Sequence, residues 1–268
     1  MKMKAKNIKM AYKYWDEMAT TDFRNLNRDK TIVVMPVAST EQHGPHLPLS
    51  VDVRITEGVI NEMLTHVPDD YTVLVLPTLP IGKANEHIGF DGTLSLSINT
   101  LMGLWTDIAE SVFRTGLKKL MILNGHGGQS QVTEIVARDL RVRHNALVVP
   151  VNWWSVRPKP SEFSNDEYTY GIHGGAEETS VMMHLHPELV RSECCANFLP
   201  NSFLQREKFP RLFSQGVRHA WKSEDLQSSG ACGDASIADR ENGQKIISNA
   251  AKSLAELITE MTEFQLPS

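Results

Sequence analysis

The chain has 268 residues, of which 41% are apolar and 22% charged, and its formal net charge is −5. Such a composition suits a soluble globular protein that can bury a core without disulfides, and the lack of any basic block excludes the electrostatic footprint of a nucleic-acid or anionic-membrane binder. Three cysteines, Cys194, Cys195 and Cys232, form no CxxC pair, which excludes a disulfide framework and a cysteine zinc site and fits a reducing, cytoplasmic compartment.

The first residues, "MKMKAKNIKMAYKYW", carry charge but no apolar core of a secretory signal. No run approaches the roughly 18 apolar residues of a membrane span. "TIVVMPV" (31–37) reads as a buried strand, followed at once by the polar stretch "ASTEQHGPHLPLSVD" (38–52). Further strands are expected at "TVLVLP" (72–77), "LKKLMILN" (117–124) and "ALVVPV" (146–151). All are short continuous apolar runs, as expected for parallel strands covered on both faces. Helical spacing appears between them, in "LMGLWTDIAESVF" with Gly116 as its stop and in "QVTEIVARDLRVR". A helix is expected over 176–189, ending near Pro187, then irregular chain over 190–240 suited to loops and subunit contacts, then an amphipathic helix in "ENGQKIISNAAKSLAELITEM". The alternation predicts an α/β fold, one domain over 1–268 with a mainly parallel central sheet flanked by helices.

Ligands of open α/β sheets collect beyond the carboxyl ends of the strands, and three polar clusters fall there. Glu41, His43 and Asp52 follow the first strand; two residues apart in extended chain, Glu41 and His43 point the same way. His126 lies in "NGHGGQ", where Gly127 and Gly128 let backbone pass close to whatever the histidine holds. His173 opens "HGGAEETS", with Glu177 and Glu178 at a helix start. Each has an ordinary alternative: a loop histidine making one hydrogen bond, or a first-turn carboxylate facing the helix dipole. Together, two imidazoles and three carboxylates make a mixed N/O set for zinc, manganese or iron. Three carboxylates and a hydroxide balance two divalent ions, and Asp52 is the candidate bridge. An anion loop for phosphate or sugar at "NGHGG" is disfavoured, since the motif holds no Lys or Arg and acidic neighbours repel phosphate.

"EQHGPHLPLSVD", "NGHGG" and "HGGAEETS", in this order, resemble the creatininase family over roughly residues 30–260, as do "EHIGFDGTLSLS" (86–97) and "GACGDASIADRENG" (230–243). The resemblance implies a two-metal centre that hydrolyses a small cyclic or linear amide, with Glu41, His43, Asp52, His126 and Glu178 as ligands and Asp52 bridging. It implies a protonated His173 that gives its proton to the leaving nitrogen, contacts to substrate from His87 and Tyr170, and a homo-oligomer, often a hexamer. Three departures stand out. Creatininase carries a glutamate two residues past the "NGH" histidine where this chain has Gly128, so that carboxylate is missing or comes from elsewhere. Its substrate-covering tryptophan is matched by Thr169, flanked by Tyr168 and Tyr170, and a substrate-loop serine by Ala84. These changes leave the metals plausible and creatinine itself doubtful as substrate, with formamide or peptide cleavage and a non-catalytic metal-binding scaffold as alternatives. His46 is read as orienting a ligand, His184 and His186 as packing or surface residues, Trp153 and Trp154 as mainly core, and Cys194 and Cys195 as inert.

Overall fold

The computed structural model describes residues 14–158, 161–213 and 219–266. The segment read as lacking a secretory signal falls almost wholly outside them. The elements in chain order are β1 (Thr31–Val37), α1 (Val51–His66), β2 (Thr72–Val75), α2 (Ile98–Arg114), β3 (Lys119–Asn124), α3 (Ser130–His144), β4 (Leu147–Asn152), α4 (Asn165–Tyr170) and α5 (Ala176–Leu185), then β5 (Asn197–Phe198), α6 (Asn201–Lys208), α7 (Ser223–Leu226), β6 (Gly233–Asp234) and α8 (Arg240–Glu263).

Four strands form one parallel sheet in the order β2-β1-β3-β4, with Val34 opposite both Val75 and Met121 and Met121 opposite Val149. Side chains alternate across this sheet. Ile32, Val34, Val73, Val75, Met121 and Leu123 join one core with α1, α5 and α8. Val33, Met35, Val37, Leu74, Leu120 and Ile122 join a second core with α2 and α3. Both faces are dry, which is why the strands read as unbroken apolar runs.

Local chemistry sets the ends of the elements. Ser97 accepts from the Thr100 N–H to cap α2, and Gly116, at φ +90°, turns the chain out after it. Asn145 ends α3 in the left-handed conformation, and Asp239 caps α8. At the far end of α8 the Lys119 ammonium donates to the carbonyls of Met261, Thr262 and Phe264, at 2.9, 2.7 and 3.0 Å. A buried cation from β3 thereby answers the negative end of the last helix.

Two parts of the sequence reading need correction. Helix α1 was not foreseen, and Asp52 returns to the site on its first turn rather than on a loop. The helix from 176 ends near Pro187 as expected, at Leu185, and a 3-10 turn at Pro187–Leu189 follows. The irregular 190–240 stretch also holds α6, α7 and the small antiparallel β5–β6 pair.

Candidate metal centre

In this strand order α1 leaves β1 towards one face of the sheet and α3 leaves β3 towards the other. The loops at the carboxyl ends of β1 and β3 therefore diverge, opening the crevice in which α/β proteins bind ligands. The Gly125 N–H donates to the Val37 carbonyl at 2.8 Å, extending the β1–β3 pairing into both loops. Asn124 shapes the turn: its side-chain oxygen accepts from the His126 N–H at 3.1 Å and its amide donates to the His126 carbonyl at 2.7 Å. Gly125 is needed for close approach, because a Cβ there would lie 2.0 Å from Thr56 Oγ1 on α1. Gly127, by contrast, faces open space, so the expected tight passage lies at Gly125 and Gly128 instead.

All five expected ligands converge. Glu41, Asp52 and His126 offer donor atoms within 4.8 Å of one another, and so do His43, Asp52 and Glu178. Asp52 stands between the two sets, with Oδ1 3.3 Å from His43 Nε2 and Oδ2 3.3 Å from His126 Nδ1. His126 Nδ1 also lies 3.1 Å from Glu41 Oε1. A third set, Glu41, His43 and His173, overlaps the other two. Glu41 Oε2, His43 Nε2 and Asp52 Oδ2 are buried and have no hydrogen-bond partner outside this cluster. Orphaned buried donor atoms aimed at one point suit a cation, so the residues present fit divalent metals.

Neighbouring groups fix the imidazoles for this task. The far nitrogen of His126, Nε2, faces the Lys83 carbonyl at 3.0 Å, which leaves Nδ1 as the lone pair directed at Glu41 and Asp52. His43 Nδ1 faces the Glu41 carbonyl at 3.1 Å and leaves Nε2 towards Asp52 and Glu178. Backbone carbonyls thus hold both rings in the ligand tautomer. Without metal the cluster draws protons instead. Burial pulls His43 down, but the Asp52 hydrogen bond and the charges of Glu178, Asp52 and Glu41 outweigh it and carry the ring to about 9. For His126 burial is likewise outweighed, by Glu41, Asp52 and Glu86, and it rises well above the usual histidine range. Burial pushes Asp52 up, yet hydrogen bonds from His126 and His43 hold it at about 2. Glu178, pushed mainly by burial, rises to about 7. Metal uptake must displace the histidine protons, so it is coupled to proton release.

Two more histidines border the set. His173 Nε2 donates to the Gln42 carbonyl at 2.5 Å, and its Nδ1 lies 3.9 Å from Glu41 Oε1. Burial and the neighbouring His43 and His87 hold its pKa well below the usual histidine range. The Gln42 side-chain oxygen accepts from the Gly44 N–H, so its amide NH2 donates to the Gly230 carbonyl and to His87 Nδ1 at 2.8 Å. His87 therefore carries its hydrogen on Nε2, 3.5 Å from Glu41 Oε1. The rings of His87 and His173 stack at 4.3 Å.

Tyr170 is not brought to this cluster. It packs edge-on against Phe203, and its hydroxyl accepts from Arg206 at 2.7 Å. Glu177 turns away to Arg157 at 2.5 Å. His46 meets Thr179, the neighbour of Glu178 in the chain, at 3.0 Å and stacks on Phe198. Trp153 is core, packed edge-on to the half-buried Trp154.

Two carboxylates escaped the sequence reading. Glu167 is buried and accepts from the Ala176 N–H at 2.7 Å and the Asp234 N–H at 2.8 Å, bracing the loop that carries His173. Glu86 Oε1 lies 3.4 Å from His126 Nε2. Its signal was adjacency to His87 in "NEHIGF".

Comparison with known proteins agrees with this geometry. The Creatininase family profile, described as creatinine amidohydrolase, matches residues 16–258. The chain belongs to the creatininase family. Mycofactocin precursor peptide peptidase of Mycolicibacterium smegmatis is 29% identical over 245 residues, 90% of each chain. Creatinine amidohydrolase of Pseudomonas putida is 28% identical over 246 residues, covering 85% of this chain and 89% of its own. A manganese creatininase structure superposes with a TM-score of 0.74 at 24% identity, over 93% of this chain and 98% of its own. A Zn–Zn creatininase variant gives 0.75 at 25%, with the same coverage. Membership of this family makes the chain an amidohydrolase, and the parallel sheet flanked by helices is the creatininase fold. Among the described residues no helix is long and apolar enough to cross a membrane.

Proposed function

We propose that this creatininase-family hydrolase is a dinuclear metal enzyme that cleaves a small cyclic or linear amide. The observation that carries the reading is Asp52: one carboxylate oxygen serves the Glu41–His126 set and the other the His43–Glu178 set. Zinc is the first choice and manganese or iron the others, on the mixed imidazole and carboxylate donors. When bound, a metal pair supplies Lewis acidity and lowers the pKa of water from about 15.7 towards 7.

The protein's own groups then divide the proton work. His173, anchored through Nε2–H to Gln42, presents Nδ1 to take a proton from the attacking water and to return it to the departing nitrogen. His87 presents Nε2–H, held there by Gln42 and Ser223 at Nδ1, as a donor towards the oxygen on which charge develops. The nearly equal identities of the peptidase and the creatinine hydrolase put peptides beside cyclic amides and formamides among the candidate substrates. Exposed Leu199, Phe203, Leu204, Phe209 and Leu212 support a homo-oligomer built through the 190–240 region.

The test is elemental analysis of the purified protein together with hydrolysis of creatinine, N-formyl amines and short peptides. Two bound divalent ions and a chelator-sensitive turnover of at least one amide are expected. A protein that binds two ions yet cleaves nothing supports the scaffold alternative. One that binds none sinks the metal-centre reading.

A further inference from the structure

Glu86 stands where a side chain at position 128 would stand. A Cβ built on Gly128 would fall 1.7 Å from Glu86 Oε1 and 2.6 Å from His126 Nε2. The two positions lie on unconnected segments: Gly128 in the 3-10 turn Gly127–Gln129 after β3, Glu86 in the 3-10 turn Asn85–His87. With Glu86 in this position, a side chain at 128 has no room beside the imidazole. The missing bulk at 128 is thus not an empty corner of the site, because a carboxylate from elsewhere in the chain fills it.

That carboxylate serves little other purpose in the fold. Its side chain is only 15% exposed, and no Lys or Arg pairs with it among the described residues. Its recorded partner is the outer edge of His126, at 3.4 Å from Nε2, where the Lys83 carbonyl also sits at 3.0 Å. The opposite edge of the same ring faces Glu41 and Asp52. A carboxylate on one nitrogen of an imidazole fixes the tautomer and makes the other nitrogen a stronger ligand. The supports also come from one short loop. Lys83 and Glu86 grip His126, and His87, next in the chain, presents its N–H to the same centre.

We propose that Glu86 is the positioning residue of His126, supplying from the 83–87 loop the carboxylate that Gly128 cannot. The inference rests on the metal-centre reading. It predicts that loss of the Glu86 carboxylate weakens the site and that a side chain added at 128 does not replace it.

The experiment measures zinc and manganese affinity by chelator competition, and ion content by elemental analysis, for wild type, Glu86→Ala, Glu86→Gln, Gly128→Glu and the double variant Glu86→Ala/Gly128→Glu. Thermal unfolding of each chelated protein reports folding separately. Glu86→Ala and Glu86→Gln should each weaken one ion about 10- to 100-fold while the chelated proteins unfold as wild type does. Gly128→Glu alone should lose affinity as well, because its Cβ meets both Glu86 Oε1 and His126 Nε2. The double variant keeps the contact with His126, so it should bind no more tightly than Glu86→Ala. Wild-type affinity for both ions in Glu86→Ala and Glu86→Gln would overturn the inference and leave the metal centre standing. A wild-type chain that binds no divalent ion removes the metal centre, and this inference with it.

Discussion

Replacing Asp52 by Asn tests the shared carboxylate directly. In the metal-free protein Asp52 is held at about 2, against an ordinary value of 3.8. That depression corresponds to about 2 kcal/mol of stability at neutral pH. The sign follows from the direction: the stabilisation is present above pH 4 and is lost as pH falls towards 2. Chelated Asp52→Asn should therefore melt a few degrees below chelated wild type. Metal adds the larger effect. An ion present at about 100 times its dissociation constant stabilises by about 2.7 kcal/mol. Two ions give about 5 kcal/mol, or a shift of about 10 °C in a protein of this size. The amide keeps the shape of the carboxylate but offers one oxygen instead of two and no charge. Ion content should fall from two to at most one, and the metal-induced shift should fall by at least half. Differential scanning fluorimetry with and without chelator, paired with elemental analysis, reads both quantities. Two retained ions and an undiminished shift in Asp52→Asn would refute the bridging role.

Two glycines in helices should respond with opposite signs. A Cβ at Gly243 would sit 2.0 Å from the Ser180 carbonyl oxygen on α5, so Gly243→Ala should destabilise by about 2 kcal/mol despite the better helix propensity. Gly103 on α2 faces open space, and Gly103→Ala should stabilise by about 0.5–1 kcal/mol; urea denaturation measures both. Lys119→Met removes three hydrogen bonds to the end of α8 and should cost about 2 kcal/mol, with faster amide exchange in the last turn. Burial holds His46 down at about 4, below its unfolded value near 6.5. The stability this gives is present above pH 6.5 and is lost as pH falls towards 4. The stability gap between wild type and His46→Gln should narrow over that window in chelated protein.

The four sheet strands were legible because each is a run of apolar residues covered on both sides, and helices α2, α3 and α8 because each shows one apolar face. Helix α1 was missed, although Val51, Ile55, Val59 and Met63 stand four apart along it. The five candidate ligands could be picked out because imidazoles and carboxylates cluster just beyond the strand ends, with glycines beside two of the histidines. The supports were harder to see. Lys83 braces His126, and Gln42 braces His173, through backbone carbonyls that any residue could provide, so residue identity carries no sign of those two contacts. Glu86 and Glu167 act across long separations, and only the folded chain shows that Glu86 shares a volume with Gly128 or that Glu167 joins Ala176 to Asp234. Tyr170 was singled out by proximity to His173 in the chain, but it lies on α4 and turns to α6.

The braces on His173 and His87 come from the last third of the polypeptide. Cys232 exchanges backbone hydrogen bonds with His173, at 2.7 and 3.3 Å, and Ser223 closes on His87 at 2.6 Å. During synthesis the ligands up to His126 leave the ribosome long before these clamps exist. The pocket is therefore complete only when residues 223–232 have folded back onto His87 and His173.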